Sequence, residues 1–186
     1  MYGNDNQSHG QQPRLRRRKR NQYISMTKAE AWTFISNHYK MVLSTLDSYG
    51  FPHAAPVWYV IINGKIYFRA QPYKRKIANL LRKPQACGVI EDGDKYTELR
   101  GVMIRGLTKV VDTDKVLRKQ VFDELASKYK HLRDTDQFPT PWQEKYGKEH
   151  RVVVEFTPTS IVSWDNRKWL DPSQYKKRLA DLESGI

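Results

Sequence analysis

The sequence predicts a mainly-β fold with peripheral helices, in which an antiparallel sheet closes into a barrel. Short apolar segments follow one another through tight turns, most clearly at Asn63-Gly64, a strong type I′ hairpin signal. Their order is helix, three strands, helix, two long strands, helix and final strands. With 186 residues, 39% of them hydrophobic, the chain can build one domain with a sizeable core. Strands joined by tight hairpins pair antiparallel, and helices then cover the outside of the sheet.

The first half of the predicted domain is a helix followed by three strands. Thr27 and Glu30 have capping-box spacing, and Trp32, Ile35 and Tyr39 then fall on one helical face. Strands are predicted at 41–46, 51–62 and 65–70, with a turn at 47–50. The two prolines in 51–62 indicate that its first half lies at a sheet edge or beside a bulge.

The second half alternates helices with longer strands. Helices are predicted at 73–83, 113–130 and 172–183, and strands at 85–91, 96–111 and 151–166. The last segment is interpreted as a strand pair or as one bent strand, because Thr157-Pro158 interrupts it. Core-facing positions of the helices are expected at Ile77, Leu80, Leu81, Val116, Val121, Leu125 and Tyr129.

Three regions differ in composition. Residues 1–24 are predicted to be a disordered basic tail, residues 25–170 a single barrel domain, and residues 171–186 a C-terminal helix or tail. Residues 1–22 carry six cations and one anion, which is +5 of the total +13. This tail could be a nucleic-acid arm, a targeting signal or a solubilising segment.

The remaining +8 makes the folded part itself basic, which favours an anionic ligand, nucleic acid or an acidic surface. Cys87 is the single cysteine, so no internal disulfide can form. The sequence has no apolar stretch typical of a secretory signal and no apolar run long enough to span a membrane. We therefore expect a soluble cytoplasmic protein.

A cationic turn lies between the third strand and the second helix. Arg69 ends the strand, and Lys74, Arg75 and Lys76 occupy the first helical turn, where the helix already carries a partial positive charge. On a helical wheel Arg75 points away from the apolar stripe, whereas Lys74 and Lys76 flank it. With the first-turn N–H groups, Arg69, Lys74 and Lys76 could form a phosphate cradle. The alternative is an ordinary solvated basic helix end.

Patterns typical of protein-based catalysis are missing from the sequence. The five histidines and Cys87 lack zinc-site spacing, and the chain has no nucleophile elbow, P-loop or dinucleotide-binding glycine motif. His53 is better explained as a polar strand residue than as a base. A phosphate cradle without protein catalysts suggests that a bound cofactor carries the reactive chemistry.

Four segments in this order carry a resemblance to a known family: "GFPHAAPVWYVIINGKIYFRA", "KRKIANLLRKPQACGVIE", "RGVMIRGLTKVV" and "VVVEFTPTSIVSWDNRKW". Together they resemble the split-barrel flavoproteins related to pyridoxamine-phosphate oxidase, and among these the flavin/deazaflavin oxidoreductases. The resemblance covers residues 27–169. It implies a six-stranded antiparallel split β-barrel that forms a homodimer and holds its cofactor in a groove at the dimer interface.

The resemblance also implies which residues bind the cofactor. The phosphate falls to Arg69, Lys74 and Lys76, with Arg75 less central. The strand segment Val57-Trp58-Tyr59 runs beside the flavin or deazaflavin ring. Trp164, Asp165 and Lys168 approach the site late in the chain, from the same subunit or its partner.

The family divides between FMN and the deazaflavin F-420, and some members bind haem-related ligands. The basic charge of the folded part suits F-420, which has an acidic oligoglutamate tail, and FMN is the alternative. The implied activity is hydride transfer between the cofactor and a small organic substrate. True pyridoxamine-phosphate oxidase is disfavoured, because its C-terminal dimerisation and substrate segment is not evident. Two further hypotheses remain: a nucleic-acid or polyanion-binding module that acts through the basic tail, and a cofactor-binding protein without catalysis.

Overall fold

The structure is a computed structural model that describes residues 23–132 and 150–183. Its six strands are β1 (Lys40–Leu46), β2 (Pro52–Ile62), β3 (Lys65–Ala70), β4 (Gln85–Asp92), β5 (Arg100–Val110) and β6 (Val152–Asp165). Its α-helices within these ranges are α1 (Lys28–Asn37), α2 (Arg75–Arg82), α3 (Lys115–Lys128) and α4 (Pro172–Glu183). Short 3-10 helices at Lys130–Leu132 and Asn166–Leu170 follow α3 and β6.

The strands close into an antiparallel barrel in the order β1-β2-β3-β6-β5-β4. This confirms the predicted fold class and strand number. The final segment is one continuous strand rather than two, and its irregularity lies where predicted. The β5–β6 register shifts between Arg105, which pairs with Ser160, and Gly106, which pairs with Pro158. This bulge bends β6, so that one strand completes the barrel.

The barrel has one core inside and a smaller one outside. Inward-facing side chains of all six strands pack with α1 and α2 in the larger core, which includes Met41, Tyr59, Phe68, Ile104 and Phe156. The smaller core lies between α3 and the outer surface of β2, β3 and β6, and includes Val60, Ile62, Tyr67, Val121 and Leu125. Alternate residues of β2 therefore enter different cores, as the two-residue period of a strand requires.

Local sequence signals explain most helix boundaries. The Thr27 side chain accepts a hydrogen bond from the Glu30 N–H at 3.2 Å, and the Glu30 carboxylate accepts one from the Thr27 N–H at 2.6 Å. This is the predicted capping box. The Asp114 side chain caps α3 by accepting from the Leu117 N–H at 2.9 Å. By contrast, no side chain caps the start of α2.

Several apolar positions were predicted wrongly. Leu81 is 70% exposed and Val116 is 81% exposed, because each lies on the solvent side of its short helix. Asn79 is buried instead, since its side chain donates to the Thr45 hydroxyl at 3.0 Å. Tyr39 lies beyond the end of α1 and is 37% exposed.

One strand boundary also differs from the prediction. β5 begins at Arg100 rather than residue 96, because residues 95–99 form a turn. Residues 138–142, whose sequence FPTPW predicts a loop, and nearly all of the predicted tail lie outside the described residues. In the described ranges, no helix is both long enough and apolar enough to cross a membrane.

Candidate functional site

The turn from β3 to α2 is stabilised by backbone hydrogen bonds. The Lys74 N–H donates to the Gln71 carbonyl at 3.1 Å, and the Lys74 carbonyl accepts from Ile77 at 2.8 Å. Lys74 is the N-cap of α2, and its side chain makes no capping hydrogen bond. These two bonds use the N–H groups of Lys74 and Ile77, so the N–H groups of Arg75 and Lys76 are the candidate anion donors of the first turn.

The charges at this turn are uncompensated. Lys74 and Arg75 are exposed and Lys76 is half-buried. Within the described residues none of the three forms an ion pair with a carboxylate. Burial lowers the pKa of Lys76, and the positive charge of Lys74 lowers it further. An anion bound here would relieve both effects, since an opposite charge favours the ammonium form.

Arg69 lies on the outer surface of β3, on the side that α3 covers. Its guanidinium is 4.9 Å from the centre of the Phe122 ring, and the guanidinium of Arg118 is at the same distance from that ring. Arg69 is therefore held by α3 at the end of the strand that leads into the basic turn. Its place in the phosphate cradle stays a prediction.

The β2 segment contributes one outward side chain. Val57 and Tyr59 are buried inside the barrel, whereas Trp58 lies outside and is 39% exposed. A ligand on the outer surface of β2 could therefore contact the Trp58 ring and the strand backbone, but not the side chains of Val57 or Tyr59. The predicted contribution of those two residues is thereby limited to their backbone.

Tyr129, the residue after α3, stabilises the place where β2 changes partners. β2 pairs with β1 as far as Trp58 and with β3 from Tyr59 onward. At this transition the Tyr59 N–H donates to the Tyr129 hydroxyl at 2.8 Å. The hydroxyl oxygen also lies 2.6 Å from the Tyr39 carbonyl and 2.9 Å from the Tyr59 carbonyl. The Tyr129 ring stacks on Trp58, with centroids 4.4 Å apart and an interplanar angle of 9°.

The predicted site residues at the end of β6 and just beyond it have different surroundings. Trp164 is partly buried and lies over Gly101, where an added Cβ would be 2.4 Å from Trp164 Cζ2. Asp165 is buried and accepts two hydrogen bonds from the Arg167 guanidinium, at 2.9 and 2.6 Å, which lowers its pKa. Lys168 Nζ donates to the Glu30 carboxylate at 2.8 Å. Asp165 and Lys168 therefore have partners within this chain, and their role in cofactor binding stays a prediction.

An apolar row crosses the outer surface of five strands. Pro56 lies opposite Val42, Val42 opposite Val89, Val89 opposite Met103, and Met103 opposite Val162. We call these five residues the outer row. All are half-buried or exposed, and Val42 keeps 46% of its accessible surface. A continuous apolar row on an outer sheet surface is typical of a contact surface.

Sequence reasoning missed a cluster of rings around the end of α3, formed by Tyr39, Trp58, Tyr59 and Tyr129. We call these four residues the aromatic cluster. Tyr129 was predicted only as an apolar core position, and Lys128 was not singled out. The hydrogen bonds of the Tyr129 hydroxyl join segments 70 and 90 residues apart in sequence. The available signal was a tyrosine at a core position, because a buried phenol usually finds a hydrogen-bond partner.

The family model described as pyridoxamine 5'-phosphate oxidase matches residues 27–165. No curated protein sequence matches the chain significantly. Among solved structures, a conserved hypothetical protein from Mycobacterium tuberculosis is 29% identical and has a TM-score of 0.69. That similarity covers 83% of this chain and 94% of the other.

Two more distant structures share the fold. An FAD-binding protein from Mesorhizobium loti is 14% identical, with a TM-score of 0.58 and coverage of 75% of this chain and 94% of that one. The heme storage protein of Vibrio cholerae is 15% identical, with a TM-score of 0.57 and coverage of 73% and 94%. At these identities the similarity shows the barrel alone, which carries differing functions in different proteins.

Proposed function

The chain belongs to the pyridoxamine 5'-phosphate oxidase family, and on that premise we propose that it is an oxidoreductase with a flavin or deazaflavin cofactor. It transfers a hydride between F-420 or FMN and a small organic substrate. The observation that carries this proposal is the basic turn at Lys74, Arg75 and Lys76, whose cations form no ion pair with the carboxylates of residues 23–132 and 150–183. Both cofactors carry a phosphate group, which these cations and the adjacent N–H groups are suited to bind.

The protein's own residues would bind the cofactor, orient its ring and shield it from water. Lys74 and Lys76 would hold the phosphate, with Arg69 and Arg75 adding positive charge. The β2 backbone at Val57-Trp58-Tyr59 would run beside the ring and fix its edge. The bound cofactor supplies the hydride chemistry, so no protein nucleophile is required. The +8 of the chain beyond residue 22 favours F-420 over FMN, because F-420 adds several carboxylates.

The test is an absorbance and fluorescence titration of the purified apoprotein with FMN and, separately, with F-420. Sub-micromolar F-420 binding with weak FMN binding supports the deazaflavin assignment, and the reverse result makes FMN the cofactor. Lys76→Ala should weaken the preferred cofactor by about 1–3 kcal/mol, the cost of a lost charge-assisted hydrogen bond. Lys83→Ala is the matched control, because Lys83 is an exposed lysine at the other end of α2. Binding of neither cofactor would refute the proposal.

We further propose that two copies of the chain associate through the outer row, since the family resemblance implies a homodimer. The row is apolar across five strands, and Trp58 and Trp164 also lie on the outer surface of the barrel. Val42→Lys should shift the protein from dimer to monomer in analytical ultracentrifugation, because the lysine would be buried without a partner. Val116→Lys makes the same change at an exposed helix position and should leave the mass unchanged. A wild-type monomer would contradict this interface.

A polyanion-binding module is the second candidate, and the observation behind it is the +5 charge of residues 1–22. Binding through such a segment weakens steeply with salt. Deletion of residues 1–22 should then abolish polyanion binding and leave cofactor binding intact. Cofactor binding without turnover on any tested substrate would instead favour a non-catalytic binding protein.

A further inference from the structure

A lysine at the end of α3 lies among aromatic rings. Lys128 Nζ is 4.3 Å from the centre of the Tyr59 ring, 5.7 Å from that of Tyr129 and 5.9 Å from that of Tyr39. Among the described residues it forms no ion pair, although Glu124 lies one helical turn earlier. Its ammonium group is held by aromatic faces alone. A negatively charged ligand that reached it would therefore meet a cation that no carboxylate of the described residues neutralises.

The surroundings of Lys128 favour the neutral amine. Burial lowers the pKa of Lys128 to about 8, which is the opposite of the effect of a neighbouring carboxylate. The nearby phenols cannot supply a negative charge in the neutral pH range. Burial raises the pKa of Tyr129 to about 12 and that of Tyr59 further. An anion that binds beside Lys128 would therefore restore its charged form.

The aromatic cluster continues from Lys128 to the outer surface of β2. Tyr129 contacts both Lys128 and Trp58, since the Trp58 ring stacks on it at 4.4 Å. Trp58 is 39% exposed. The cluster thus offers a flat apolar surface and a single cation, joined through one tyrosine. A single ammonium matches one negative charge, which a carboxylate supplies.

We propose that Lys128 binds the carboxylate of an acidic organic substrate, whose planar part lies against the aromatic cluster at Trp58. This inference rests on the proposed oxidoreductase function and names the substrate class: small organic acids with a flat apolar portion. Lys128 is then a specificity-determining residue. It is separate from the basic turn, which would hold the cofactor phosphate.

The test is calorimetric titration of the full chain with benzoate and with benzyl alcohol, a neutral analogue of similar shape. We expect wild-type protein to prefer benzoate, and Lys128→Met to weaken benzoate binding about tenfold or more. Lys128→Arg should retain most of the affinity, because arginine keeps the charge. Lys119→Met is the control, since Lys119 is exposed and already paired with Asp123 at 2.6 Å. Thermal melts confirm that each variant is folded.

A pH series adds a readout that a merely structural lysine would not give. Benzoate binding to wild type should weaken between about pH 7 and about pH 9.5, as the ammonium loses its proton. Within the described residues, His131, which contacts the Tyr39 ring, and Glu124, one turn before Lys128 on α3, are two further titratable groups beside the cluster. His131→Gln and Glu124→Gln should leave this pH dependence in place.

The outcomes separate this inference from the proposed function. If FMN or F-420 binds but Lys128→Met binds benzoate as tightly as wild type, the substrate site is refuted. Absence of benzoate binding to wild type refutes it equally. If neither cofactor binds while benzoate binding depends on Lys128, the oxidoreductase function fails and the residue is an acid-binding site without that role.

Discussion

Tyr129→Phe removes one hydroxyl group at the point where β2 stops pairing with β1 and begins to pair with β3. The ring is fully buried and remains in the variant, so its stacking on Trp58 is kept. What is lost is the acceptor of the Tyr59 N–H at 2.8 Å and the donor to a carbonyl of Tyr39 or Tyr59. The variant therefore tests whether this single group stabilises the transition between strand pairs.

The expected loss follows from these contacts. A buried N–H without an acceptor costs about 1–3 kcal/mol, and a lost hydroxyl-to-carbonyl bond costs about 1 kcal/mol more. The hydroxyl has one proton, so only one of the two carbonyls receives a hydrogen bond at a time. We expect the free energy of unfolding to fall by about 2–4 kcal/mol. For a domain of this size the melting temperature should fall by roughly 5–15 °C.

Urea denaturation followed by tryptophan fluorescence measures this free energy, and differential scanning calorimetry gives the melting temperature. Tyr96→Phe is the matched control, because Tyr96 is 73% exposed and should change stability by less than about 0.5 kcal/mol. A loss below about 1 kcal/mol in Tyr129→Phe would refute the argument, because water or a small backbone shift would then satisfy the Tyr59 N–H.

Three further predictions concern the barrel and its charge. Gly106→Ala should destabilise by about 1–3 kcal/mol in urea denaturation, because its Cβ would lie 2.2 Å from the Thr157 carbonyl oxygen at the β5–β6 bulge; unchanged stability would mean that the bulge can shift. The Arg167 guanidinium lowers the pKa of Asp165, so its contribution is present at neutral pH and is lost as pH falls through that lowered pKa. Wild type should therefore lose more stability than Asp165→Asn between about pH 5 and about pH 2, and parallel pH curves would count against this ion pair. Deletion of residues 1–22 should leave the melting temperature unchanged within about 2 °C, since this segment cannot build a core.

Most of the fold could be predicted from the sequence, because the patterns that indicate its turns, helix caps and strands are local. The Asn63-Gly64 hairpin, the capping box at Thr27 and Glu30, and the alternation along β5 each depend on neighbouring residues. Asn63 takes a positive φ of 51° and Gly64 one of 73°, as a type I′ turn requires. Closure of the barrel followed from strand order, and the six-stranded split form from the family resemblance.

Errors arose where a choice depended on distant parts of the chain. Leu81 and Val116 satisfy a helical apolar pattern, but the barrel meets another side of each helix. Asn79 is buried because Thr45, from a different strand, offers a hydrogen-bond partner. Periodicity ranks the faces of a helix by composition, and it cannot say which face the rest of the protein reaches.

Only half of the candidate site could be predicted from the sequence, for the same reason. The cations of the basic turn are consecutive in sequence, so their clustering is visible without a structure. The aromatic cluster brings together residues from before β1, from β2 and from the end of α3, and only the closed barrel makes them neighbours.

The position of Tyr129 separates the structural and the ligand-binding roles within this cluster. Its hydroxyl satisfies backbone groups, whereas its ring contacts Trp58 and the ammonium of Lys128. Removal of the whole Tyr129 side chain would therefore alter stability and the proposed substrate surface together. Lys128→Met alters the charge and leaves those backbone hydrogen bonds in place. A loss of acid binding in Lys128→Met with unchanged cofactor affinity would thus indicate recognition of the substrate, because the strand transition that supports both sites remains intact.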